Sequence, residues 1–314
     1  MDDIDIDLDI IKKEQHGNVV VYYVKKNISD TDMMKIKNTF VKPKQIKLII
    51  KDDCDVFDAE TDKLLIRFRK NKLSKQQTDT FYENIIEFAE RKTSNRGSAS
   101  ASKKKNMKNN PRIMTNILGY YEKFNAKQKL MMQKFNTRLT ARETYFTQNY
   151  PNEYKKVIPL IQEIDHLYKK YIPDSYEKQY AKAKTTPFSI DNTSFTTVTT
   201  NINFQTSIHQ DKGDDSEGFG NLAVIEKGDY SGGETCLPQY GVGVDVRTGD
   251  ILFMDVHEWH GNLPIIQKSK EAKRLSIVCY LRENLWNKTK NKSKKYKKAQ
   301  IEGYKKMKNK TMKK

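Results

Sequence analysis

The chain reads as an α+β protein whose core is a double-stranded β-helix, or jelly roll, with an N-terminal α/β extension and supporting helices. Three observations predict this. Short apolar runs at 221–226, 241–246 and 249–255 follow one another, with turn signals at Gly228-Asp229, Ser231-Gly232-Gly233 and Thr248-Gly249-Asp250. Residues 139–183 carry a helical repeat, and the period turns strand-like after Phe188. Ahead of both lie β-branched runs typical of buried strands.

The elements follow in order. Runs 19–24 and 46–50 are apolar strands, and 63–69 is a third that alternates in its second half. Ser74 is an N-cap for a helix over 76–92, with Phe81, Ile85, Phe88 and Ala89 on one face. Residues 93–111 are rich in Ser, Asn, Lys and Gly and end at Pro111, a flexible loop. In 139–183 the apolar stripe is Val157, Ile161, Ile164, Tyr168 and Tyr171, and Pro159 belongs in a first turn or at a kink. From Thr196 a strand alternates between Val198, Ile202, Phe204 and a polar row of Thr197, Thr199, Asn201 and Asn203. The domain reading is therefore an extension at 1–92, the loop at 93–111, helical support and barrel at 112–286, and a disordered Lys-rich tail at 287–314.

Composition narrows the class. At 314 residues the chain forms one large domain or two small ones. Apolar content is 36% and charge 31%, so part of the chain is expected to lie outside a packed core. No apolar run is long enough to span a bilayer, and the acidic start Met1-Asp2-Asp3-Ile4-Asp5 does not resemble a signal peptide; a soluble, intracellular protein is expected. Cys54, Cys236 and Cys279 are too scattered for a disulfide framework or a zinc site. Much of the net charge of +18 sits in 287–314, where 13 Lys face one Glu. Such a segment associates with polyanions.

One constellation carries chemistry. In Ser207-Ile208-His209-Gln210-Asp211 an imidazole and a carboxylate two residues apart share a face on an extended chain. Val256-His257-Glu258-Trp259-His260-Gly261-Asn262 follows, then the strand Arg274-Leu275-Ser276-Ile277-Val278-Cys279-Tyr280-Leu281. A His-x-Asp pair, a distant His and a following Arg match the facial triad and co-substrate anchor of a non-haem iron(II) oxygenase. Two imidazoles and one carboxylate leave three metal positions open, two for a 2-oxo acid and one for dioxygen. The far carboxylate of 2-oxoglutarate suits a bidentate arginine, for which Arg274 is placed, with Ser276 on the same face. His260, beside Gly261 at a strand end, is favoured as second histidine, with His257 the alternative. Arg282 shares Arg274's parity at the far end of the strand. His16 and His166 read as solvated, and Gly232-Gly233 as a tight turn.

His209-Gln210-Asp211-Lys212-Gly213-Asp214, the run Gly249-Asp250-Ile251-Leu252-Phe253-Met254-Asp255 and Arg274-Leu275-Ser276-Ile277-Val278 resemble the oxygenase domain of the TET and J-binding-protein family. The likeness covers roughly 185–285, and Thr93-Ser94-Asn95-Arg96-Gly97 extends it toward the N-terminus. It implies that His209, Asp211 and His260 hold Fe(II), and that Arg274 and Ser276 hold 2-oxoglutarate. The implied activity is hydroxylation of the methyl group of thymine or 5-methylcytosine in DNA. Implied partners are DNA, 2-oxoglutarate and dioxygen, with no membrane, for a monomer in a nuclear or other DNA-containing compartment. The chain lacks the cysteine-rich region of animal TET proteins. A prolyl or lysyl side-chain hydroxylase shares barrel and triad, although prolyl enzymes commonly have Lys where this chain has Arg274. A non-catalytic nucleic-acid-binding protein is the reading from another class.

Overall fold

The structure is a computed structural model describing residues 8–93, 99–100 and 113–312. Most of the expected loop at 93–111, including Arg96-Gly97, lies outside the described residues. In chain order the elements are β1 (Ile10–His16), β2 (Val19–Val24), α1 (Asp30–Ile36), β3 (Leu48–Ile50), β4 (Cys54–Asp58), β5 (Leu64–Arg69) and α2 (Lys75–Ala89). Next come β6 (Thr115–Tyr121), α3 (Ala126–Lys134), β7 (Arg142–Glu143), α4 (Tyr145–Asn149), α5 (Pro151–Tyr171), α6 (Pro173–Lys184) and β8 (Thr197–Ile202). Then follow β9 (Gly220–Lys227), β10 (Tyr230–Gly232), β11 (Thr235–Leu237), β12 (Val242–Val244), β13 (Ile251–Met254), β14 (Gly261–Asn262), β15 (Ile265–Gln267) and β16 (Lys273–Tyr280). The last two are α7 (Glu283–Thr289) and α8 (Lys294–Met312). The chain divides into two compact units, residues 1–116, 199–212 and 219–278 forming one, and 117–198, 213–218 and 279–314 the other.

The first unit is the jelly roll. Its larger sheet has the order β1-β2-β4-β5-β13-β9-β16-β8 and its smaller one β14-β11-β12-β3, beside a β10-β15 ribbon. One core cluster draws Val56, Ile66, Phe68, Val224 and Leu252 from the larger sheet and Leu237, Val242 and Val244 from the smaller. The N-terminal α/β extension expected at 1–92 is thus corrected in one respect, since its strands join the sheets of the jelly roll. β5 pairs antiparallel with β13, and β3 pairs parallel with β12. Runs such as Leu64-Leu65-Ile66 have little polar surface to present to water, and the free edges of β12 and β13 supply the backbone partners such strands require. α2 is capped as expected, Ser74 Oγ accepting from Gln77 N at 3.4 Å, and it buries Phe81, Ile85, Phe88 and Ala89.

The second unit is largely helical. Val157, Ile161, Ile164 and Tyr168 are buried along α5, as the stripe predicts, while Tyr171 is half-buried. The expected continuous helical region starts at Tyr145 and is interrupted at Tyr150 and Ile172. Pro151 and Pro173 each open a new helix at its first turn, where a missing N–H costs nothing. Pro159 lies inside α5 rather than in its first turn.

The expected disordered tail at 287–314 is also corrected, because α8 is ordered and packed. Lysine is a good helix former, and eight of the 13 Lys lie in α8, where Gln300, Tyr304 and Met307 are spaced along one face. Gln300 Oε1 accepts from Thr140 N at 2.7 Å, Tyr304 Oη accepts from Gln128 Nε2 at 2.6 Å, and Met307 is 3% exposed. Among the described residues no helix is long and apolar enough to cross a membrane.

Candidate active site

The site lies within the first unit. After β8 the chain runs extended, and His209 and His260 form an antiparallel bridge, each N–H donating to the other's carbonyl at 2.9 Å. Asp211 N donates to Val256 O at 3.0 Å, which fixes the carboxylate beside the two rings. The expectation that His209 and Asp211 share a face holds without a regular strand, since backbone bonds to 256–260 keep the segment extended. Gly261 after His260 permits close packing: a Cβ there would lie 2.9 Å from Val41 Cγ2 and 3.1 Å from Thr206 O.

The imidazoles are 4.3 Å apart between ring centroids and tilted by 50°. His209 Nδ1 lies 2.8 Å from Ser207 O, and His260 Nδ1 lies 2.9 Å from Glu258 O. A carbonyl only accepts, so both Nδ1 atoms carry the proton and both Nε2 lone pairs stay available. Those Nε2 atoms face Asp211, at 3.4 Å to Oδ1 from His209 and 3.7 Å to Oδ2 from His260. One ligand atom from each of the three residues lies within 4.8 Å of the others. The donor set suits a divalent transition metal on one face, iron(II) included.

Arg274 and Ser276 line the same cavity as the three. Arg274 is 5% exposed, and among the described residues no carboxylate pairs with its guanidinium. Burial pulls its pKa below the arginine value, and nearby Tyr230 only partly offsets this. Its stem rests on Gly233, where a Cβ would lie 2.9 Å from both Cδ and Nε. Ser276 Oγ accepts from Asn201 Nδ2 at 3.2 Å, and Asn201 Oδ1 accepts from the Thr115 hydroxyl. Leu222, Met254, Val256 and Val278 form the apolar part of the wall.

The alternatives separate. His257 stands outside the cluster, and its carbonyl accepts from Gln210 Nε2 at 2.8 Å, bracing the His-x-Asp segment. Arg282 belongs to the second unit and is held bidentately by Glu122, at 2.8 and 2.6 Å. Of the expected polar row, Asn201 lines the cavity but so does Phe204. Asn203 has φ 46°, and this left-handed residue breaks the alternation. Sequence reasoning missed the seat that Gly233 makes for Arg274. Its positive φ of 82° was the legible half, but contact with a residue forty positions on was not.

Comparison with known proteins agrees with this geometry. A family model described as the oxygenase domain of the 2OGFeDO superfamily (Tet_JBP) matches residues 128–283, beginning earlier than the motif likeness from about 185. The chain is 36% identical over 177 residues to the bifunctional helicase and thymine dioxygenase JBP2 of Trypanosoma brucei brucei, covering 56% of this chain and 15% of that protein. It is 38% identical over 149 residues to thymine dioxygenase JBP1 of Trypanosoma brucei brucei, covering 47% of this chain and 18% of that protein. The chain therefore spans under a fifth of the length of these relatives. The solved structure of NgTET1 in complex with 5mC DNA aligns with a TM-score of 0.52 over 86% of this chain and 98% of that one, at 14% identity, so the fold is shared. Residues 128–283, which contain the bridged histidines, the carboxylate and the unpaired arginine, thus match the oxygenase domain of the TET/JBP family in the 2-oxoglutarate and iron(II) dioxygenase superfamily.

Proposed function

We propose that the protein is an iron(II)- and 2-oxoglutarate-dependent dioxygenase that hydroxylates the methyl group of a nucleobase, thymine or 5-methylcytosine, in DNA. One observation carries the reading: a three-residue donor cluster and a buried arginine without a carboxylate partner share one cavity. His209, Asp211 and His260 would hold the metal, which when bound couples decarboxylation of 2-oxoglutarate to oxidation of a C–H bond. Ser207 O and Glu258 O fix both imidazole tautomers, so the metal-facing nitrogens need no reorganisation to bind. Arg274 would grip the distal carboxylate of 2-oxoglutarate as a fork, and Ser276, oriented by Asn201, would donate its hydroxyl to the same group. Leu222, Met254, Val256 and Val278 keep water from the reacting side of the cavity.

DNA as substrate draws support from the thymine dioxygenases the chain resembles and from its net charge of +18. A protein of this activity works in a compartment that holds DNA, the nucleus included. The test is succinate release with Fe(II), 2-oxoglutarate and duplex DNA, with mass spectrometry of the nucleosides. Hydroxymethyl bases in DNA that depend on Asp211 support the proposal. Turnover with a prolyl or lysyl peptide and none with DNA would reassign the substrate.

A further inference from the structure

The second unit has a cleft of about 1010 Å³ that takes no part in the dioxygenase reading. Five lysines from separate stretches line it: Lys155 of α5, Lys184 of α6, Lys292 ahead of α8, and Lys294 and Lys297 of α8. Two carboxylates, Glu143 and Asp191, also line it, so positive charge dominates. Burial pushes the Glu143 carboxyl up, while Lys305 at 3.9 Å and Lys297 pull it the other way.

Two donors inside the cleft lack acceptors. Tyr120 is 7% exposed and lines the wall, and among the described residues its hydroxyl makes no hydrogen bond. The Lys297 ammonium lies 4.1 Å from the centroid of the Tyr120 ring and 5.8 Å from that of Phe188, and no carboxylate among the described residues is in ion-pair contact with it. Burial lowers its pKa to about 8. The phenol hydroxyl and the half-buried ammonium lie side by side on the wall of the cleft, where a ligand that enters can accept from both. The N-terminal residues of α5 and α8, Pro151 and Lys294, line the same cleft, and their helix dipoles add to the positive potential. Lysines spread around a concave wall suit a ligand with several separated anionic oxygens better than a single planar carboxylate, which an arginine fork fits.

We infer that this cleft is a binding site for a phosphate ester, with Lys297 and Tyr120 Oη donating to phosphate oxygens and Lys155, Lys184 and Lys292 supplying charge around them. The phosphate comes either from a small phosphorylated metabolite or from a nucleic-acid backbone, and the chemistry of recognition is common to both. The inference stands apart from the dioxygenase reading, since no residue is shared.

Calorimetric titration of the full chain with inorganic pyrophosphate and, separately, with a short DNA duplex tests it. Lys297→Met should weaken binding of the recognised probe about tenfold or more, and Tyr120→Phe about fivefold. Binding of pyrophosphate with this dependence assigns a small ligand. Duplex binding with the same dependence, and no pyrophosphate binding, assigns the backbone. Absence of binding by both probes, or equal affinities in parent and variants, overturns the inference. A readout on the unmutated protein guards against misfolded variants: acetylation of Lys297 by a succinimidyl ester, followed by peptide mass spectrometry. The recognised probe should slow it about tenfold, and an unchanged rate at saturating pyrophosphate and duplex would sink the proposal.

Discussion

At the scale of single residues, the proposed metal centre depends on one negative charge. Asp211→Ala leaves two neutral imidazoles, so metal affinity and turnover should be lost together, while His257→Ala should bind metal as the parent does. Metal analysis of the two purified variants checks this, and a metal-free His257→Ala protein would contradict the ligand set. The two arginines of similar sequence standing should part company. Arg274→Ala should cost about 2–4 kcal/mol in 2-oxoglutarate affinity with metal binding intact. Arg282→Ala should leave that affinity alone but destabilise the fold by about 3–5 kcal/mol, because it strands the buried Glu122 carboxylate. Succinate assays against 2-oxoglutarate concentration and denaturant titrations separate the outcomes. The gathering of His209, Asp211, His260 and Arg274 around one cavity was legible because the role proposed for each calls for particular residue types. The carbonyls of Ser207 and Glu258 were not, since every residue has a carbonyl and only the fold selects which one meets a ring nitrogen.

At the scale of elements, legibility followed how local the signal was. α2 could be read from its cap and its stripe, and β2 ends where its apolar run does. α8 could not, because its lysines resemble a solvated tail and the partners that order it are remote: Thr140, Gln128 and Leu139. Ending the chain after Trp286 removes Gln300 from Thr140 and uncovers the groups that Met307 covers. The thermal midpoint should fall by about 5 °C or more. Differential scanning fluorimetry of the shortened chain measures it, and an unchanged midpoint would return the segment to the role of a loose polycation. The site expectations survive this correction, because every proposed ligand lies ahead of the cut.

At the scale of the whole molecule, the error in the N-terminal reading is the instructive one. Strands from the first seventy residues read correctly as strands, but as an extension beside the barrel rather than as part of its sheets, since a sequence pattern reports burial and not the partner that provides it. β3 pairs with β12, and β5 with β13, so the partners stand roughly 180 to 195 residues apart in the chain, a separation that slows folding. On a ribosome adding about 5–20 residues per second, β3 and β5 emerge on the order of ten to forty seconds before the strands that shelter them. During that interval Leu65, Ile66 and Phe68 belong to a nascent chain with unpaired edges, a substrate for chaperones and proteases. A fragment ending at Asn116 should show no cooperative unfolding and should be degraded rapidly in limited proteolysis; a sharp melting transition for it would refute this. The proposed iron ligands and their arginine all follow β3 and β5 in the chain, at positions 209–274, so catalytic competence can appear only after synthesis of the barrel is complete.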